Sequence, residues 1–218
     1  MLDENTAAYV VAHSEPADEV YEWLVPLTQA TGMGQMQIGP DQGAFLTMLA
    51  RLAGTANGLE GAANVVEVGT FTGTSAMYLA RGLAPGGRLL CCDVSEEWTA
   101  IARQAWDRAG VADRIELKIA PAIETLRALP PDATIDLAFV DADKVSYPDY
   151  YEELVPRLRP GGLLVADNTL RSGDIVDPTV TDDGAVALRA YNDRAAADDR
   201  VHTVLLAVAD GLTISQKR

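Results

Sequence analysis

Val65-Val66-Glu67-Val68-Gly69-Thr70-Phe71-Thr72-Gly73-Thr74-Ser75 is the stretch that decides the fold. Three valines in four residues make a short buried strand. Two glycines then turn the chain sharply into helical periodicity over about 75–83. Such a turn admits a ligand close to the backbone. By itself Gly-x-x-x-Gly is weak, because the same spacing also serves helix–strand packing. It departs from the Gly-x-Gly-x-x-Gly of dinucleotide folds. Glu67, directly before it, would repel a pyrophosphate and favour a cationic ligand.

Downstream the alternation continues. Pro85-Gly86-Gly87 turns into a strand over 88–92 closed by Asp93, and a helix over 96–109 leads to a strand over 115–119. A helix near 122–128 precedes the strand 135–140, closed by Asp141. The helix expected over 148–158 carries Pro156, where a kink is predicted. Pro160-Gly161-Gly162 then feeds a strand over 163–166, closed by Asp167-Asn168. Strands apolar throughout and alternating with helices define an α/β, Rossmann-like sheet, mostly parallel and covered on both faces. The segments 201–208 and 212–215 flank Asp210-Gly211, which signals a C-terminal antiparallel hairpin. Upstream, 7–30 reads as helical, and a second helix opens at Pro40-Asp41 and stops at Gly54, with a loop over 54–64. One domain is expected, an N-terminal helical arm (1–60) joined to an α/β core (64–218).

Composition sets limits on function. The 218 residues are 48% hydrophobic and 22% charged, with no run long enough to span a membrane. The acidic start, Met1-Leu2-Asp3-Glu4-Asn5, does not read as a secretory signal. Cys91 and Cys92 are adjacent and would point to opposite faces of a strand, so they read as buried small residues without a disulfide. With no sign of an oxidising compartment, a cytoplasmic location is expected. The formal net charge of −15 repels phosphate backbones and anionic membranes, so neither is expected as a partner. His13 and His202 lie away from the pattern and read as ordinary structural or surface residues.

Open parallel sheets bind ligands beyond the carboxyl ends of their strands, and the acids above fall at those ends. Asp93, 20 residues after Gly73, is placed to accept hydrogen bonds from ribose hydroxyls. Alone, a solvated strand-end aspartate is an equal reading. Together with Glu67 and the loop it points to a nucleoside with a positive charge and no phosphate, which is S-adenosylmethionine. Asp141-Ala142-Asp143-Lys144 is followed, 26 residues after Asp141, by Asp167-Asn168. If the two strands are parallel neighbours, Asp141, Asp167 and Asn168 converge as a hard, all-oxygen site. That site suits Mg²⁺ first, Mn²⁺ or Ca²⁺ as alternatives, and is wrong for zinc. Positive charge beside a lysine favours its neutral form, so Lys144 there is a candidate general base, against the default of a solvated lysine.

Met36 to Leu49, the quoted glycine stretch, Phe139 to Lys144, Asp167-Asn168-Thr169-Leu170 and Val208 to Leu212 together resemble the cation-dependent O-methyltransferases. That family includes the caffeoyl-CoA and, more distantly, the catechol enzymes. The resemblance implies a seven-stranded methyltransferase sheet in a homodimer. It places the metal on Asp141, Asp167 and Asn168, and the methyl donor against Ile38, Glu67, Gly69, Thr70, Ser75, Asp93, Ala122 and Asp143. Lys144 matches the base of catechol-methylating relatives. Two departures disfavour a CoA thioester and favour a smaller free catechol. Arg171 replaces the aromatic residue found in plant relatives, and the arm lacks the basic residues they offer to coenzyme A. Residues 169–184 read as a substrate lid in which Arg171 meets an acidic tail, with a plain surface loop an even alternative. Two rival readings are a nicotinamide-dependent oxidoreductase and a catalytically silent nucleoside-binding scaffold.

Overall fold

In the computed structural model, which describes residues 3–55, 58 and 60–218, the quoted strand is the centre of a seven-stranded sheet. β1 (Ala62–Val68) pairs in parallel with β2 (Leu83–Asp93) on one side and β4 (Ile135–Val140) on the other. β3 (Ile115–Ile119) lies outside β2, and β5 (Leu158–Ala166) lies outside β4, both parallel. β7 (Leu212–Lys217) runs antiparallel to β5, and β6 (Val201–Leu206) closes the hairpin at the edge. Strand order therefore reverses between β1 and β4, which creates a crevice at their carboxyl ends.

Both faces are covered. On one, α2 (Glu19–Ala30), α3 (Pro40–Thr55), α4 (Thr74–Arg81) and α5 (Glu96–Arg108) bury Leu24, Leu46, Met77, Trp106 and Cys91. On the other, α6 (Ala122–Ala128), α7 (Tyr147–Leu154) and α8 (Asp183–Ala197) bury Leu126, Tyr151, Leu188, Tyr191 and Cys92. The two cysteines thus face opposite cores, both with free thiols. No helix among the described residues is long and apolar enough to cross a membrane.

Several boundaries differ from the sequence reading. The single helix over 7–30 is two, α1 (Glu4–Ala12) and α2, because Pro16 interrupts the ladder and Asp18 caps α2 through the amides of Val20 and Tyr21. Each Pro-Gly-Gly lies inside a strand as a bulge. Ala62 and Asn64 face Leu83 and Arg88, and Ile135 and Leu137 face Leu158 and Leu163, the same three-residue excess in both places. Asp136 fastens this end of the sheet. Fully buried, it accepts the amides of Ala63 (2.6 Å) and Asn64 (2.7 Å) and pairs with Arg159. Pro156 ends α7 in a 3₁₀ turn, Val155–Arg157, and does not kink a longer helix. α8 begins at Asp183, inside the stretch read as a connection over 169–184, and was not anticipated. The reading of the acidic start falls in part on residues 1–2, and that of the 54–64 loop on 56, 57 and 59, all outside the described residues.

Candidate active site

A cavity of about 650 Å³ opens at the crevice. Its walls include Ile38, Gly69, Thr70, Ser75, Asp93, Ala122, Asp141, Asp143, Lys144, Asp167, Asn168 and Arg171. Every anticipated site residue except Glu67 lies there. Glu67 is buried beneath the glycine loop.

Two glycines shape that loop. Gly69 has φ +90°, and a Cβ on it would sit 2.0 Å from the Asp141 carbonyl oxygen, so only glycine lets β1 end this close to the end of β4. Gly73 (φ +88°) starts α4, and a Cβ there would strike Ala102 and Trp106 of α5. The first glycine serves the site, the second serves packing.

The donor side is built from β1 and β2. Both Thr70 N (2.9 Å) and Phe71 N (2.8 Å) donate to Asp93 Oδ2, and Ser95 N donates to Oδ1 (2.8 Å). Asp93 therefore organises the loop and stays at the cavity wall. Phe71 meets Trp98 edge to face at 5.0 Å, beside Val94, and this apolar pocket was not foreseen. Glu67 takes a hydrogen bond from Thr70 Oγ1 on Oε2 (2.9 Å), while Oε1 is buried without a partner of hydrogen-bonding geometry. Burial pushes its carboxyl up to about 7, against the opposing pull of Ser75, Thr70 and Cys91. Asp143 is held by Tyr150 Oη (2.7 Å) and by Ser146.

The acidic side follows from register. Val140 pairs with Ala166, so Asp141 and Asp167 are the next residues of neighbouring strands. The Asp141 amide donates to the Val68 carbonyl (2.8 Å) and the Asp167 amide to the Val140 carbonyl (2.9 Å), which extends the ladder to the acids. Asn168 is left-handed (φ +55°), a conformation asparagine tolerates. The hairpin turn pins the next residues, with Thr169 N donating to Gly211 O (3.0 Å) and Leu170 N to Asp210 O (2.9 Å). Burial and the neighbouring Asp141 charge push the Asp167 carboxyl up to about 6. Lys144 Nζ donates to Asp141 Oδ1 (2.9 Å) and Tyr147 Oη (2.8 Å). Tyr147 in turn donates to the carbonyls of Asp167 (3.0 Å) and Val140 (3.2 Å). Gln42, which the sequence did not single out, donates through Nε2 to Asp167 Oδ2 at 2.6 Å. Among the described residues no cluster of three or more His, Cys, Asp or Glu gathers as a metal site. The trio at issue offers two carboxylates and one amide.

Arg171 is already engaged. Its Nη1 donates to both Asp182 oxygens (2.7 and 2.9 Å). The segment behind it is tied down by Arg189, which donates to the carbonyls of Asp174, Ile175, Asp177 and Val180. A fastened wall describes 171–182 better than a free flap.

A parallel sheet finished by an antiparallel hairpin, with an acid-lined cavity at its switch point, defines the Rossmann-like methyltransferase class. The chain belongs to the O-methyltransferase family, whose model matches residues 11–218. It is 35% identical over 214 residues to "Probable caffeoyl-CoA O-methyltransferase 2" of Dictyostelium discoideum, a match covering 96% of this chain and 90% of that one. It is 33% identical over 177 residues to a catechol O-methyltransferase of Niastella koreensis, covering 80% and 77%. Among solved structures, the O-methyltransferase from Bacillus cereus in complex with SAH superposes with a TM-score of 0.86 at 29% identity, covering 98% of this chain and 97% of that chain. The family resemblance carried by the motifs holds, and it sets aside the nicotinamide reading.

Proposed function

We propose that this S-adenosylmethionine-dependent O-methyltransferase is a divalent-metal enzyme that methylates one hydroxyl of a small catechol. The carrying observation is that Asp141, Asp167, Asn168 and Lys144 line the same cavity as the glycine loop and Asp93. Two adjacent carboxylates, one of them pushed toward its neutral form by burial and then by the charge of the other, suit a hard cation, for which the side-chain amide of Asn168 supplies a third oxygen. Asp141, Asp167 and Asn168 would hold Mg²⁺, or Mn²⁺ or Ca²⁺ in its place. When bound, the ion would supply Lewis-acid polarisation of the two vicinal oxygens.

The chain's own groups account for the rest. Asp93, Gly69 and Thr70 hold the donor's ribose end, with Ile38, Ser75, Ala122 and Asp143 around it, and Trp98 with Val94 offers an apolar slot for a flat base. Glu67 supplies negative charge for the cationic end. Lys144 Nζ takes the proton from the acceptor hydroxyl. The new O–CH₃ bond then forms as the S–CH₃ bond breaks and the sulfonium becomes a neutral thioether. Orientation does most of the work, because the sulfonium is already an activated donor. Arg171 faces the acceptor, but Asp182 compensates its charge, so an acidic tail would have to compete for it. The exposed Tyr9, Val10 and Val11 of α1, with Met48 and Leu52 of α3, support a homodimer.

Methyl transfer to catechol and to phenol tests the substrate assignment. Catechol is expected to be methylated and phenol to be inert under the same conditions, because only the vicinal pair offers two oxygens. Equal rates on both would reject it.

Glu67 gives donor binding a pH dependence of definite sign. Below about 7 the free carboxyl is protonated, so a cationic donor must displace that proton on binding. Donor affinity is expected to rise about tenfold per pH unit up to about 7 and to level off above it. Calorimetry from pH 5.5 to 8.5 measures this, and Glu67→Gln is expected to flatten the profile. A flat wild-type profile would remove Glu67 from donor recognition.

A further inference from the structure

Gln42 is a neutral, hydrogen-bonding side chain only 5% exposed, at the start of α3 and 125 residues from the acid it touches. Burying a primary amide costs free energy unless its groups are satisfied, and an aliphatic residue would fill the same space at less cost. The helix that carries it is drawn in tightly. Gly43 lies so close to the Tyr78 ring that a Cβ there would fall 2.3 Å from Tyr78 Cδ2, and Thr47 Oγ1 donates to the Tyr78 carbonyl at 2.8 Å. This packing fixes where Gln42 ends. Its Nε2 donates to Asp167 Oδ2 at 2.6 Å, while Oδ1 of the same carboxylate accepts the Asn168 backbone N–H at 2.6 Å. Each carboxylate oxygen is thus anchored once and keeps a second lone pair. The plane of the group is set from both sides, one anchor from the sheet and one from the N-terminal arm.

We propose that Gln42 is a positioning residue that orients the Asp167 carboxylate for a divalent cation. The inference rests on the reading that Asp141, Asp167 and Asn168 hold that ion, and it adds a fourth residue, on a different part of the chain, that sets how well they do so. Groups that orient a metal ligand commonly change affinity 10–100-fold when removed. Gln42→Met keeps the length and the packing and removes the N–H. Gln42→Asn keeps the amide and withdraws it by one methylene.

The experiment is Mn²⁺ binding to the full-length protein, read by electron paramagnetic resonance of the free ion, alongside calorimetric S-adenosylmethionine binding and thermal melting. Wild type is expected to bind Mn²⁺, and both variants to bind it about 10–100-fold more weakly. Donor affinity should stay within about twofold and melting should be little changed. Unaltered Mn²⁺ affinity in both variants would overturn the role of Gln42 while leaving the metal reading intact. So would an equal loss of Mn²⁺ and donor binding, which is what a purely structural residue gives. Absence of Mn²⁺ binding by the wild type would overturn the metal reading itself, and the inference with it.

Discussion

Asp141→Ala protein is expected to bind S-adenosylmethionine with unchanged affinity and to methylate catechol on the order of 10³-fold more slowly. Asp141 does two things at the end of β4. It is one of the two carboxylates of the proposed metal trio, and its Oδ1 holds Lys144 Nζ at 2.9 Å. Alanine removes a negative ligand and releases the amine in the same step. The β4 ladder needs only the backbone of Asp141, whose amide bonds Val68, so the fold should persist. Calorimetric donor binding and kcat/KM on catechol separate the two effects. A decrease of less than tenfold would mean that the acid is not part of the reacting centre.

Lys144→Met is expected to lower kcat by 10²–10⁴-fold at neutral pH, the range set by loss of a general base. The amine is poised by two acceptors, Asp141 Oδ1 and Tyr147 Oη, and sits 4.9 Å from the centre of the buried Tyr147 ring. Lys144→Arg distinguishes charge from proton transfer. Arginine keeps the positive charge and does not give up its proton, so it should fall as far as methionine does. Near-normal turnover in the methionine variant at neutral pH would remove Lys144 from the mechanism. Full activity in the arginine variant would reassign it to electrostatic support.

Most of the architecture was legible because the central parallel strands are largely apolar and three of them, β2, β4 and β5, end in acids. The periodicity that located β1, β4 and the hairpin also located the crevice. The register of β4 against β5 then brought Asp141 beside Asp167, as their shared strand-end positions implied. Turn chemistry misled where it acts inside a strand. Pro-Gly-Gly looks the same whether it precedes a strand or bulges within one, and only the partner's register tells them apart. α8 was missed although Asp182 caps it and Ala185, Leu188, Tyr191 and Ala195 recur at helical spacing. Small alanines carry a faint apolar signal, and the preceding Gly and Pro suggested a loop.

Within the site, the acids were visible because their positions are tied to strand ends. Gln42 and the Phe71–Trp98 pair were not, because their importance lies in contacts between segments far apart in the chain. Gln42 carried a weak cue, a polar residue beside a glycine at the start of a mostly apolar helix. Arg171 was recognisable as a cation just after the Asp167-Asn168 strand end, but its pairing with Asp182 depends on how 171–182 folds back. Arg189, which ties that segment through four carbonyls, left no local sign of its role.

Oxygen donors on adjacent strand ends are expected to make this methyltransferase depend on a divalent cation. Exhaustive demetallation followed by a catechol methylation assay, with and without added Mg²⁺, tests it most directly. Turnover should vanish in the stripped protein and return on adding the ion, with donor binding intact throughout. Undiminished methylation by thoroughly stripped protein would contradict it.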